Sequence, residues 1–127
     1  MKRTFFSLAL LLAVATLTAQ TKMTAREAAV KIADRILAST TYEFKNTKTG
    51  EIYKSVKKLP LDMDVKVACK YNNWHYTNGV TNMALMELGD KLGDKKYEKY
   101  VLKNMNFVFN EGNLDFFRKQ YDEAFKR

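Results

Sequence analysis

The sequence predicts an all-α fold. Apolar residues recur at three- and four-residue steps in four separate stretches, and helix-starting and helix-stopping residues bracket those stretches. The chain's 127 residues, 46% apolar and 13% aromatic, suffice for one small core and exclude a disordered polyelectrolyte.

The first residues stand apart from that core. Lys2 and Arg3 precede the apolar run from Phe5 to Val14, and Thr16-Leu17-Thr18-Ala19 supplies a small residue for cleavage, so residues 1–19 read as a secretory signal peptide. The run falls short of the roughly 20 apolar residues that cross a bilayer. With no cysteine at the cleavage point, a lipid anchor is not expected, and the product is periplasmic or secreted, with no membrane attachment after cleavage. Removing Lys2 and Arg3 from the 22 basic residues leaves an excess of six over the 14 acidic ones. That balance suits an acidic partner, and for an exported protein an anionic polysaccharide is more sensible than nucleic acid; most of the lysines line solvated helix faces.

Thr24, with Glu27 three residues on, forms a capping box for a first helix whose stripe is Ala29, Ile32, Ala33, Ile36 and Leu37. Periodicity then lapses from Ser39 to Pro60. Tyr42-Glu43-Phe44 and Ile52-Tyr53 flank the turn-rich Asn46-Thr47-Lys48-Thr49-Gly50, which allows a loose hairpin. A second helix is expected over about 77–91, with Val80, Ala84, Leu88 and Leu92 on one side and Met83 and Met86 as adaptable packing. Gly93-Asp94 ends it and caps a third helix carrying Tyr97, Tyr100, Val101, Met105 and Val108, which stops before Gly112; the two make an αα-hairpin. A fourth amphipathic element over 114–125 carries Phe117, Tyr121 and Phe125 and ends in mid-pattern at Lys126-Arg127. Helical stripes then outnumber the surfaces available to cover them, so residues 20–127 are expected to be the first helices of a larger, truncated domain.

Cys69 and His75 are the sole residues of their kinds, which excludes an intrachain disulfide and leaves no zinc pattern. Cys69, in Val65-Lys66-Val67-Ala68-Cys69, reads as a small buried hydrophobe.

The richest stretch is Trp74-His75-Tyr76, at a helix entrance and followed by Asn78 and Gly79, neither of which favours a helix. A sugar site accounts for this set. Trp74 and Tyr76 offer aromatic faces, Asn78 and His75 reach hydroxyl or carboxylate oxygens, and Gly79 allows close approach of substrate or a neighbouring helix. The same residues also fit a packed helix end, with Trp74 and Tyr76 in the core.

Trp74-His75-Tyr76-Thr77-Asn78-Gly79-Val80, followed by an apolar helix and Leu92-Gly93-Asp94-Lys95-Lys96-Tyr97, resembles the N-terminal part of the unsaturated glycuronyl hydrolases and, more closely, the unsaturated rhamnogalacturonyl hydrolases (glycoside hydrolase families 88 and 105). The resemblance covers about residues 70–110, with 24–39 as the first barrel helix and 42–61 as a variable insertion. It implies an (α/α)6 barrel, of which this chain holds the N-terminal part. It implies an enzyme that removes the unsaturated uronic acid left by a pectin lyase at the non-reducing end of an oligosaccharide, by protonating the vinyl ether and adding water at C5. An aspartate serves as acid and base, and no metal or organic cofactor is required. The family's aspartates are expected beyond Arg127; Asp122, on a charged helix and outside the family's Leu-Asp motif, is the nearest local candidate. The implied substrate-binding residues are therefore Trp74, His75, Tyr76, Asn78 and Gly79, with none catalytic.

Two other classes remain open. A polysaccharide lyase on the same toroid would use Tyr, His or Asn and create the ultraviolet chromophore that the hydrolase destroys. A helical interaction scaffold should repeat itself, and no fixed-period similarity links the helices.

Overall fold

The computed structural model describes residues 23–126; the signal-peptide reading of 1–19 lies outside them. The fold is mostly helical, as expected, with a small antiparallel sheet between the first helix and the rest. Helix α1 is Ala25–Ser39, strands β1, β2 and β3 are Phe44–Asn46, Ile52–Tyr53 and Val65–Val67, and helices α2, α3 and α4 are Tyr76–Leu92, Lys95–Val108 and Glu111–Phe125.

α1 opens with the expected capping box, the Glu27 N–H donating to Thr24 Oγ1 at 3.2 Å and the Thr24 N–H to Glu27 Oε2 at 2.8 Å. Its buried stripe is narrower than the apolar spacing suggests: Ala33, with Ile36 and Leu37, packs inward, whereas Ala29 and Ile32 face solvent.

The hairpin forms where turn residues cluster. Asn46 Oδ1 accepts the N–H groups of Lys48 and Thr49 at 2.9 and 3.0 Å, and Gly50 takes a φ of +80°, a conformation glycine adopts without steric cost. β3 adds itself to the other side of β1, giving the order β2-β1-β3 with Lys45 opposite Lys66. Three residues are too few for alternation to announce this strand. Phe44, Val65 and Phe116 are buried together beneath the sheet, and Cys69 is buried as expected.

α2 and α3 form the αα-hairpin. Gly93, in the left-handed region at φ +66°, closes α2, and Asp94 accepts the Lys96 N–H at 3.0 Å to open α3. The helices close tightly at Gly89, where a Cβ would lie 3.1 Å from the Asp94 carbonyl oxygen and 3.2 Å from Tyr97 Cβ. Leu85, Tyr97, Tyr100 and Val101 make the main core with Ala33 of α1.

Two further stripes differ from expectation. On α2 the buried face is Asn78, Asn82, Leu85 and Gly89, whereas Val80 is 61% exposed and Ala84 also faces out. Asparagine side chains occupy that face because Asn78 hydrogen-bonds the preceding loop and Asn82 bonds Asn104 and Met105 of α3, requirements that override hydrophobic periodicity. On α4, which begins at Glu111 behind an Asn110 cap rather than after Gly112, Phe116 and Gln120 point inward and Tyr121 and Phe125 outward. Gln120 is drawn in because its Nε2 donates to the backbone carbonyls of Asp62 and, at 3.0 Å, Val65. No described helix is long and apolar enough to cross a membrane.

One ion pair ties α1 to the hairpin. Asp34 Oδ1 accepts from the Lys96 ammonium and from the Tyr97 phenol, each at 2.9 Å. The Lys96 bond first and the Tyr97 bond second hold the Asp34 carboxyl below its ordinary 3.8. Because the folded group titrates below the unfolded one, its contribution is present above that ordinary value and is lost as pH falls through the depressed one. Asp34→Asn should therefore lower the melting temperature at neutral pH, and the gap to wild type should narrow progressively as the pH falls below the ordinary carboxylate value of 3.8. A gap that persists unchanged in acid would assign the effect to packing instead.

Candidate functional site

The site is built on the loop between β3 and α2, and asparagines hold that loop residue by residue. Asn78 Nδ2 contacts Lys70 O at 2.9 Å, Asn73 O at 3.0 Å and Asn73 Oδ1 at 2.6 Å. Asn104 of α3 donates to Tyr71 O at 3.0 Å and to Asn82 Oδ1 at 3.1 Å, while Asn72 donates to Thr41 O at 2.7 Å. Backbone carbonyls that β pairing or a helix would satisfy elsewhere are here satisfied by side-chain amides.

Trp74 is set by its edge. Its Nε1–H donates to Val108 O at 3.0 Å, and its ring meets Phe117 edge-on with centroids 4.9 Å apart. Half of the residue, 51%, stays exposed. His75, at the N-cap of α2, shares a 2.8 Å hydrogen bond between Nδ1 and Thr77 Oγ1, and its ring lies 5.0 Å from that of Tyr76. Tyr76 is 79% exposed. Gly79 sits one turn inside the helix with nothing within 4 Å of the place a Cβ would take.

These residues border a cleft of about 290 Å³. Trp74, His75 and Tyr76 form one side, Gly79 and Asn82 continue along α2, and Asn104, Met105, Val108 and Phe109 form the other side. The buried amide oxygens of Asn72 and Asn104, both lining residues, have no hydrogen-bond partner. Among the described residues the lining holds no carboxylate; ring faces, side-chain amides, the His75 imidazole and the Tyr76 phenol are the groups it offers. Behind the loop, burial first and the neighbouring Tyr100 and Cys69 second push the Tyr42 phenol up to about 12, and burial raises Tyr100 as well, so both stay neutral. No three His, Cys, Asp or Glu side chains among the described residues group as a metal site would need.

The residues singled out from sequence are thus brought together, in different roles. Trp74, His75 and Tyr76 present exposed rings, Gly79 leaves space, and Asn78, buried with its amide N–H groups committed to the loop, positions the others. Asp122 lies on the exposed side of α4 and borders none of this cleft. Sequence reasoning missed Asn72, Asn73, Asn82, Asn104, Met105 and Phe109. The available signal was Asn78 and Asn82 one turn apart inside a helix, where asparagine is unfavourable without a partner.

Comparison with protein-family models, with curated proteins and with solved structures finds no match to this chain.

Asn104→Asp should show what the amides are for. The isosteric carboxylate would face two acceptors, Tyr71 O and Asn82 Oδ1, with no N–H to give, and should cost about 2 to 4 kcal/mol in chemical denaturation at neutral pH. Asn106→Asp, on the exposed side of the same helix, should leave stability within about 0.5 kcal/mol of wild type.

Proposed function

We propose that this chain supplies a carbohydrate subsite of a secreted glycoside hydrolase, one that removes unsaturated uronic acid from the non-reducing end of lyase-generated pectin oligosaccharides. The observation that carries the proposal is an exposed aromatic rim over an unfilled glycine floor: Tyr76 is 79% exposed and no atom occupies the space above Gly79. A helix end packed for stability would bury Tyr76 and fill that space. A sugar uses both, its apolar face against a ring and its hydroxyl groups toward amides.

The motif around Trp74-His75-Tyr76-Thr77-Asn78-Gly79 supports the hydrolase family on resemblance. The antiparallel α2–α3 pair is of the kind from which an (α/α)6 toroid is built, and that toroid is part of the proposal. Within it, the cleft binds and orients the unsaturated sugar. Protonation of the vinyl ether falls to a carboxylic acid other than those described here, since none borders the cleft.

Trp74 is the only tryptophan and lines the cleft, so its fluorescence reports on occupancy. Titration with an unsaturated uronyl disaccharide should give a saturable change, and its absence would overturn the reading. Tyr76→Ala should weaken that binding about tenfold, close to 1.4 kcal/mol, while the melting temperature stays within about a degree of wild type.

Gly79→Ala provides a test of opposite sign. An alanine in a helix with open space around it should stabilise the protein by about 0.5 to 1 kcal/mol. If the space belongs to the sugar, the same methyl group should lower affinity. A variant that gains stability and binds as wild type does would show that no ligand approaches α2 there.

A further inference from the structure

A second cleft, of about 310 Å³, lies on the β3 side of Trp74. Trp74 and Asn73 line both clefts, so the indole is a shared wall rather than an outer boundary. The second cleft runs between β3 and α4, over Val65, Val67 and Phe117, with Lys66 at its rim.

Two features of β3 make this cleft suited to an anion. The first is its open edge. The Thr47 N–H donates to Asp64 O and the Ala68 N–H to Glu43 O, which fixes residues 64 and 68 as facing β1 and turns the backbone groups of residues 65 and 67 the other way. The Val65 carbonyl takes Gln120 Nε2, as that parity requires. The Val67 N–H points to the same edge. The second feature is charge. Lys66 stands directly opposite Lys45, both exposed, and neither belongs to an ion pair among the described residues. Like charges directly opposite on neighbouring strands destabilise a sheet, and a bound carboxylate relieves the cost.

We infer that this second cleft is a subsite for a further, carboxylate-bearing sugar of the same oligosaccharide, with Lys66 as the residue that recognises the carboxylate. The Val65 and Val67 side chains face α4 and that of Lys66 the opposite side of the sheet, so Lys66 meets the cleft at the open edge of β3. The sugar's apolar face lies on Phe117 and the valines, its carboxylate projects past that edge toward the Val67 N–H and the Lys66 ammonium, and the chain passes over the edge of Trp74 into the first cleft. The inference rests on the carbohydrate reading of the first cleft. It adds a preference for longer, acidic oligosaccharides set by the sheet.

The test uses three ligands: the unsaturated disaccharide, an unsaturated tetrasaccharide with a second uronate, and the same tetrasaccharide with that second carboxyl methyl-esterified. Each is titrated by calorimetry and by Trp74 fluorescence into wild type and Lys66→Gln, at low and at high salt. Wild type should bind the acidic tetrasaccharide about three- to tenfold more tightly than the disaccharide, an advantage reduced by salt. Esterification or Lys66→Gln should each remove the advantage and leave disaccharide affinity unchanged. Equal affinity of wild type for disaccharide and acidic tetrasaccharide, or an undiminished tetrasaccharide affinity in Lys66→Gln, overturns the second subsite while the disaccharide signal keeps the first. Failure of wild type to bind any of the three overturns both. Lys66 is exposed and replacing it relieves a like-charge pair, so the variant should melt no lower than wild type.

Discussion

The site depends on asparagine amides satisfying the carbonyls of a loop that lies outside helix and sheet. The segment from Lys70 to Asn73 belongs to neither helix nor strand. Asn78 reaches back to Lys70 and Asn73, Asn104 reaches across to Tyr71, and Asn72 ties the segment to Thr41 at the end of α1. A buried carbonyl without a partner costs about 1 to 3 kcal/mol, so these bonds together outweigh the weak helix propensity that asparagine brings to α2 and α3. Were the loop released, Trp74, His75 and Tyr76 would lose their positions at once, since each follows directly from it.

The same loop joins two layers that otherwise share little. The helical layer is centred on Leu85, Tyr97, Tyr100 and Val101, and the sheet layer on Phe44, Val65 and Phe116. Trp74 bridges them, hydrogen-bonded to the last turn of α3 and edge-on to Phe117 of α4. Phe107 extends the bridge from α3, its ring 5.5 Å from Tyr42 and 5.4 Å from Phe44. One hydrogen bond and one edge-on ring contact hold the indole although half of it is exposed, and under the carbohydrate proposal that restraint lowers the side-chain entropy lost when a sugar arrives.

Signals that act within a few residues were legible in the sequence. The Thr24–Glu27 box, the Asn46–Gly50 turn and the Gly93–Asp94 junction each set local backbone geometry through neighbours in the chain, and each stands where the residues predict. The faces of α2 and α4 were not legible, because Asn78, Asn82 and Gln120 turn inward for partners that the fold supplies: Lys70 and Asn73 for the first, Asn104 for the second, Asp62 and Val65 for the third. Counting apolar residues cannot find a face made of amides. β3 escaped for a different reason, its three residues being defined by pairing with β1 rather than by any pattern of their own. At the site, the consecutive aromatics were visible as a cluster, whereas Asn104, Met105 and Phe109 lie about thirty positions away and reach the cleft only because Gly93 reverses the chain.

Polar and apolar groups are stacked in depth around the first cleft in an order that constrains what can occupy it. The rings and Met105 are outermost, the glycine space lies between, and the amides of Asn82 and Asn104 are deepest. A purely apolar ligand would cover the rim and leave the Asn72 and Asn104 oxygens without donors, as they are now. The lining holds neither Lys, Arg, Asp nor Glu, so the carboxylate of an unsaturated uronic acid would find no counter-ion inside and would have to turn outward past the rim. What fits is a molecule with an apolar face of about ring size and hydroxyl hydrogens along its edge, because it alone gains from stacking without stranding an acceptor. Charge selection is then left to groups outside this cleft, and the sheet with its exposed lysines lies next to it across one indole ring.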